Sequence, residues 1–181
     1  MENLKTYNKR LNYPENKDYN WYALYTRSHH EKEVFRRLEE QGIEVYLPLL
    51  DTVRQWSDRK KKVSIPLFSC YVFVHISMRD YYRVLNISYG VRYVTFEGRA
   101  VPIPEKQINM VKSLLEQDMA VEEGNDSFYS GANVEIIAGP LTGISGELID
   151  FSGKKRVIIR LDEIRKSMVI SVPMHLLRLV C

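Results

Sequence analysis

Apolar and polar positions follow two rhythms along this chain, and the change of rhythm divides it. WYALYT (21–26) carries aromatic and apolar side chains at strand density. Ser28 followed by Glu31 has the spacing of a capping box and predicts a helix beginning near His29. Val34, Phe35 and Leu38 make one apolar stripe on that helix, its other faces are charged, and Gln41-Gly42 ends it. Four short runs follow: IEVYLPLL (43–50), TVRQW (52–56), KVSIPLF (62–68) and CYVFVHI (70–76). Each is rich in β-branched or aromatic residues, and the polar stretch Ser57–Lys61 between the middle two predicts a hairpin with a basic tip. WYALYT and SCYVFVHI are apolar on both faces and are expected at the centre of a sheet. A polar helical segment near Met78–Leu85, a strand VRYVTF (91–96) and an extended Val101–Pro104 precede a last helix. Ile108, Val111, Leu114 and Leu115 recur on it at helical spacing.

An α+β domain over residues 20–116 is the expectation, after a polar, aperiodic lead-in over 1–19. Residues 117–130 read as an acidic, self-repelling linker. Beyond Gly131 the rhythm is pure strand: NVEII, GELIDF, KRVIIRLDEI and SMVISVP, separated by glycine-containing turns. About fifty residues of short strands bury too little as an open sheet, so residues 131–181 are expected to close into a small β-barrel.

Composition changes this picture little: 45% hydrophobic and 27% charged residues fit a folded globular chain. No apolar run has the length of a membrane span and the start has no signal-peptide core, so the expectation is a cytosolic protein without membrane contact. Two cysteines, Cys70 and Cys181, make neither a disulfide framework nor a metal quartet. Charge is informative in its distribution: residues 20–115 hold 15 basic against 10 acidic side chains, whereas 116–130 hold five acids and no base. A basic body can attract phosphate backbones, although a surplus of this size is common elsewhere.

Catalytic chemistry has no visible seat. Adjacent His29 and His30 point about 100° apart on a helix, whereas a helical zinc pair needs i and i+4. His75 and His175 have no thiol or carboxylate cluster near them in sequence, so packed or solvated histidines are expected, with no metal and no cofactor. No nucleophile motif or phosphate-binding glycine loop is present, which points away from an enzyme.

The specific motif is Gly131–Leu148, a strand, a glycine-rich turn carrying Gly139, Pro140, Gly143 and Gly146, and a second strand. It resembles the KOW motif of small SH3-like barrels in transcription and ribosomal proteins. The first domain adds Trp21–Thr26, Glu31-Lys32, Tyr46-Leu47-Pro48, Pro66–Val74, Gly90-Val91, Phe96 and Pro102-Ile103-Pro104, which resemble the NusG amino-terminal (NGN) domain in order and spacing. Together the two resemblances span residues 20–180, and the Pro-Leu-Phe-x-x-Tyr-x-Phe-Val segment is most similar to the operon-specific paralogues RfaH and UpxY. The resemblance implies a transcription elongation and antitermination factor, with surface polysaccharide operons as one kind of target. It implies that Tyr25, Phe68, Phe73 and Phe96 grip the clamp helices of the largest RNA polymerase subunit. Core packing competes for Tyr71, Val72 and Phe73, because neighbours on a strand face opposite ways. It implies DNA contacts near the transcription bubble from Arg27, His29, His30, Arg54, Arg59, Lys60, Lys61 and Lys62. A ribosomal protein or the termination factor Rho would be the barrel's partner. A tail that refolds as helices, known for RfaH, is opposed by the glycines and the dense Val and Ile of residues 131–180. An RNA-binding or ribosome-associated KOW module that needs no polymerase remains the alternative.

Overall fold

A computed structural model describes residues 19–55, 60–116, 121–123, 131–139, 141–151 and 154–180. The lead-in as far as residue 18, residues 57–59 of the expected basic tip with Arg59 among them, Pro140 and most of the acidic linker lie outside the described residues. The chain divides into two compact units, Met1–Glu105 and Lys106–Cys181. Sequence spacing places the boundary at 116, after the last helix, whereas this division falls after its first residue.

The first unit runs β1 (Asn20–Tyr25), α1 (Glu31–Glu40), β2 (Glu44–Tyr46), β3 (Leu49–Gln55), β4 (Lys60–Pro66), β5 (Tyr71–Ile76) and α2 (Tyr81–Leu85). It continues through β6 (Arg92–Tyr93), β7 (Thr95–Phe96), β8 (Arg99–Ala100) and β9 (Pro102–Ile103). The two strands that are apolar on both faces lie at the centre: β1 pairs antiparallel with β5, β2 flanks β5, and β6 and β9 share the other side of β1. Alternation then sorts the side chains. Tyr22, Leu24, Val72, Val74 and Ile76 face α1, whose Val34, Phe35 and Leu38 complete one core with Ile43 and Tyr93. Each such side chain stabilises by ~1.5–3 kcal/mol relative to exposure. Trp21, Ala23, Tyr25, Tyr71, Phe73 and His75 point to the opposite face.

Two local expectations are corrected. Helix α1 starts at Glu31, and His30, the residue before it, makes no side-chain cap; His29 at φ 65° blocks an earlier start. The carboxylate expected to close a capping box reaches out of the helix instead. VRYVTF is not one strand but β6 and β7, because its first part pairs with β1, as far as the N–H of Val94 on the carbonyl of Ala23 (2.9 Å), and its second part pairs with β8.

The second unit comprises all but the first residue of α3 (Glu105–Glu116), a helix entered through Pro104 as expected, and β10 (Val121–Glu123), β11 (Asn133–Ile136), β12 (Ser145–Phe151), β13 (Lys154–Leu161), β14 (Lys166–Ile170) and β15 (Leu177–Leu179). The strands form one antiparallel sheet in the order β10-β14-β13-β12-β11-β15, so the last strand returns beside the first strand of the KOW-like segment. The α+β class and the strand-rich tail agree with the sequence, except that Asp162–Ile164, read as the end of a strand, and Met174–Leu176 form 3₁₀ turns. Strand β10 lies inside the stretch read as linker and pairs with β14, with Val121 buried. Gly146 serves the close packing of the sheet, since a Cβ there would stand 2.6 Å from the carbonyl oxygen of Ile158. Gly139 and Gly143 hold positive φ at the turn.

Candidate functional site

The aromatic part of the site begins where β1 and β5 end together. Tyr25 and Tyr71 are cross-strand partners, half-buried, with their rings edge to face at 5.7 Å. Arg92, opposite Tyr25 on β6, lays its guanidinium 4.6 Å from the Tyr25 ring centroid. The same sheet edge throws out the β7–β8 hairpin between its pairings at Arg92–Tyr93 and at Pro102–Ile103. Glu97 and Gly98 both take positive φ in that turn, and Phe96 stands beside it 66% exposed.

Phe68 and Phe73 belong to the interior, which corrects the expectation that their rings face a partner. They are 0% and 1% exposed, and they meet edge to face at 6.1 Å. Phe73 lies opposite Ala23, a small neighbour that leaves room for the ring to lie on the sheet, and Tyr46 packs on it at 6.2 Å. Val72 is buried on the α1 side, as alternation requires.

The polar part is divided between the start of α1 and the β3–β4 hairpin. Arg27, His29 and the three lysines Lys60, Lys61 and Lys62 are exposed. His30 is half-buried: its Nδ1 is 2.9 Å from the carbonyl oxygen of Ser28, and its ring lies 4.6 Å from Tyr89. Arg37 sits over the same tyrosine ring (4.9 Å) and donates to its hydroxyl (3.3 Å), so Tyr89 links the loop before α1 to the helix itself. Arg27 passes beside Gly90, where φ is 65° and a Cβ would lie 3.5 Å from the arginine Nε. On the β3–β4 hairpin, Lys60 and Lys62 stand opposite Gln55 and Val53, while Lys61 stands opposite Arg54. Lysines therefore appear on both faces of the ribbon.

His75 is a packed histidine: Trp21 stacks on it at 4.9 Å and Glu44 Oε2 lies 2.6 Å from its Nδ1. His175 is exposed in a 3₁₀ turn of the second unit. Among the described residues no cluster of His, Cys, Asp or Glu could hold a metal ion, and no helix is long and apolar enough to cross a membrane.

Burial pushes the Tyr93 hydroxyl far up, with Tyr81, Tyr22 and Asp80 adding to it, and a tyrosine so held stays neutral beneath the sheet. Tyr71, Tyr89 and Arg92 are the members that sequence reasoning did not assign to the site. Tyr71 and Arg92 were detectable only as cross-strand neighbours of Tyr25, which requires the register; Tyr89 is brought to His30 and Arg37 from a distant turn.

Comparison with known proteins gives a consistent result. The family described as "Transcription termination factor nusG" matches residues 19–112. The transcription termination/antitermination protein NusG of Campylobacter jejuni is 26% identical over 136 residues, covering 69% of this chain and 76% of that protein. Its counterpart in Haemophilus influenzae is 24% identical over 157 residues, covering 77% and 83%. The solved structure of NusG from Thermotoga maritima superposes with a TM-score of 0.54 at 23% identity, covering 90% of this chain and 98% of that one, which supports the fold.

Proposed function

The chain belongs to the NusG family, and from that premise we propose that it is a non-enzymatic, cytoplasmic transcription elongation and antitermination factor of the operon-specific type. Tyr25, Tyr71 and Phe96 form the surface that docks on the clamp helices of the largest RNA polymerase subunit. Phe68 and Phe73 support that surface from below. The observation that carries the reading is the Tyr25–Tyr71–Arg92 group, in which two rings and a cation are held at one end of a rigid sheet with part of each ring open to a partner. Rings of this kind, with an arginine, are the residue types that dominate docking energies.

Arg27, His29, His30, Lys60, Lys61 and Lys62, with Arg54 and Arg59, supply the DNA-facing rim. Phosphate contacts from such side chains orient a protein on nucleic acid without reading its sequence. A factor that binds the closed, elongating state of the polymerase better than the open one shifts the population toward it, so pausing and termination decrease. The second unit would engage a ribosomal protein or Rho, and its tether raises that partner's effective concentration at the polymerase.

The test uses the immobilised full chain and core RNA polymerase. Retention of polymerase by the parent chain, lost with a folded Tyr25→Ala variant, supports the reading. Binding of RNA with a steep salt dependence and no retention of polymerase would replace it with the RNA-binding KOW alternative.

A further inference from the structure

Among the described residues the β3–β4 hairpin pairs with no other strand and forms a two-stranded sheet of its own. Leu49 packs the base of the ribbon on the core, but two strands alone are marginally stable, so the part beyond that base depends on further ties. Yet the tip carries Lys60, Lys61 and Lys62, and these have to act together with Arg27, His29 and His30 at the start of α1 if a single nucleic-acid strand is to touch both groups. The ties that hold the hairpin therefore matter.

Two consecutive side chains in the first turn of α1 supply them. The Lys32 ammonium donates to the carbonyl of Ser64 on β4 at 2.5 Å. Ser64 in turn donates its hydroxyl to the carboxylate of Asp51, its cross-strand partner on β3, so the lysine holds a point where the two strands are already tied together. The Glu31 carboxylate, 5% exposed, accepts the N–H of Cys70 at 2.8 Å. Cys70 is the last residue before β5 and has φ 69°, and its carbonyl accepts the N–H of Thr26 at the end of β1 (2.9 Å). Neighbouring side chains on a helix diverge by about 100°, so the two reach different places. One holds the hairpin before the chain leaves it; the other holds the chain where it enters the central sheet. A ribbon pinned at one point pivots, and a second pin on the same connection removes that rotation.

We propose that Glu31 and Lys32 form a two-point clamp that sets the angle between the β3–β4 hairpin and α1, and that they are positioning residues for a nucleic-acid face divided between the two. This rests on the functional reading above only for the use to which the angle is put. Both bonds are charge-assisted and end on backbone groups, so they are directional and independent of the side chains at positions 64 and 70. Holding the two charged groups in register before binding lowers the ordering cost when a strand is bound.

The experiment measures geometry and affinity separately, on the full chain. Spin labels on p-acetylphenylalanine at positions 40 and 60 report the helix-to-hairpin distance by double electron–electron resonance; a 20-nucleotide single-stranded DNA is the binding probe for unlabelled protein. The parent should give one narrow distance distribution. Lys32→Met should broaden it and weaken DNA binding by about tenfold. Lys32→Gln, which keeps a donor for the Ser64 carbonyl but not the charge, should restore both. Glu31→Gln keeps an acceptor for the Cys70 N–H and should preserve its protection from hydrogen exchange, whereas Glu31→Ala should lose it. If Glu31→Ala does not fold, the two lysine variants decide. An unchanged narrow distribution in Lys32→Met overturns the clamp, including the case where affinity falls because Lys32 touches phosphate itself. Distances that respond as expected while even the parent binds neither DNA nor polymerase would uphold the clamp and remove the functional reading.

Discussion

The central sheet and the β3–β4 hairpin are both antiparallel β structure within one unit, but different forces hold them. Strands β1 and β5 are packed on both faces: Leu24, Val72 and Val74 are wholly buried on the helix side, and Phe73 and Ala23 on the other. Their direction is fixed by many non-directional contacts at once. The hairpin has exposed lysines at its outer end; the N–H of Leu67 on the carbonyl of Pro48 (2.8 Å) closes its base, Leu49 packs that base on the core, and Lys32 ties Ser64 farther out. Apolar packing thus makes a rigid platform for the rings, whereas directional polar bonds aim the cations. The lesson is that an aromatic docking surface and a charged rim built side by side should fail in different ways.

The contrast is sharpest in Phe73→Ala. Removing a ring that is 1% exposed should cost ~3–5 kcal/mol, read from urea unfolding of the full chain, and should take polymerase retention down with the fold. A loss below 1 kcal/mol would mean that the sheet is not the platform described. Tyr25→Ala comes next. Its ring is only half-buried, so binding to polymerase should fall by about 30-fold or more while the urea midpoint moves little. If stability drops as far as in Phe73→Ala, the ring is core and the division between platform and surface fails.

Replacing Lys60, Lys61 and Lys62 together by glutamine should leave stability unchanged, because exposed charges contribute little to it. The salt dependence of single-stranded DNA binding should flatten by about 2 in log–log slope, as three phosphate contacts are lost. A flat response would show that the hairpin tip takes no part in binding.

The smallest effect is expected from Glu33 on the exposed side of α1, the helix that both regions share. Hydrogen bonds from Arg36 and then Arg37 hold its carboxyl down at about 2, below the ordinary 4.5. Its folded value is depressed, so its contribution is complete above pH 4.5 and disappears as pH falls through about 2. Nuclear magnetic resonance titration of the Glu33 side chain should follow that midpoint in the parent and move back toward the ordinary value in a chain carrying Arg36→Gln and Arg37→Gln. Neither the sheet nor the hairpin should respond, and a shift of either across that range would make α1's exposed face part of their support.

Much of this could be read from residue order. Apolar character on both faces of WYALYT and CYVFVHI marked the central strands, the stripe Val34–Phe35–Leu38 marked the buried face of α1, and the runs on either side of Ser57–Lys61 marked the pair β3 and β4. These are short-range signals, set by the repeat of a strand or a helix, and they survive in a single chain without any partner to compare. The capping box at Ser28 and Glu31 had the right spacing and misled, since the carboxylate found a better acceptor role at Cys70, remote in sequence. The resemblance implied surface rings at Phe68 and Phe73, with core packing as the competing reading for Phe73, and only the packed structure shows both buried, because periodicity says which residues share a face but not whether that face is covered. The pairing of Tyr25 with Tyr71 and Arg92, and the grip of Lys32 on Ser64, depend on strand register and on which elements the fold brings together. Local order along the chain is dictated by backbone geometry repeating every two or 3.6 residues. Contacts between distant residues are chosen by the packing of the whole core, and no repeat in the sequence encodes them.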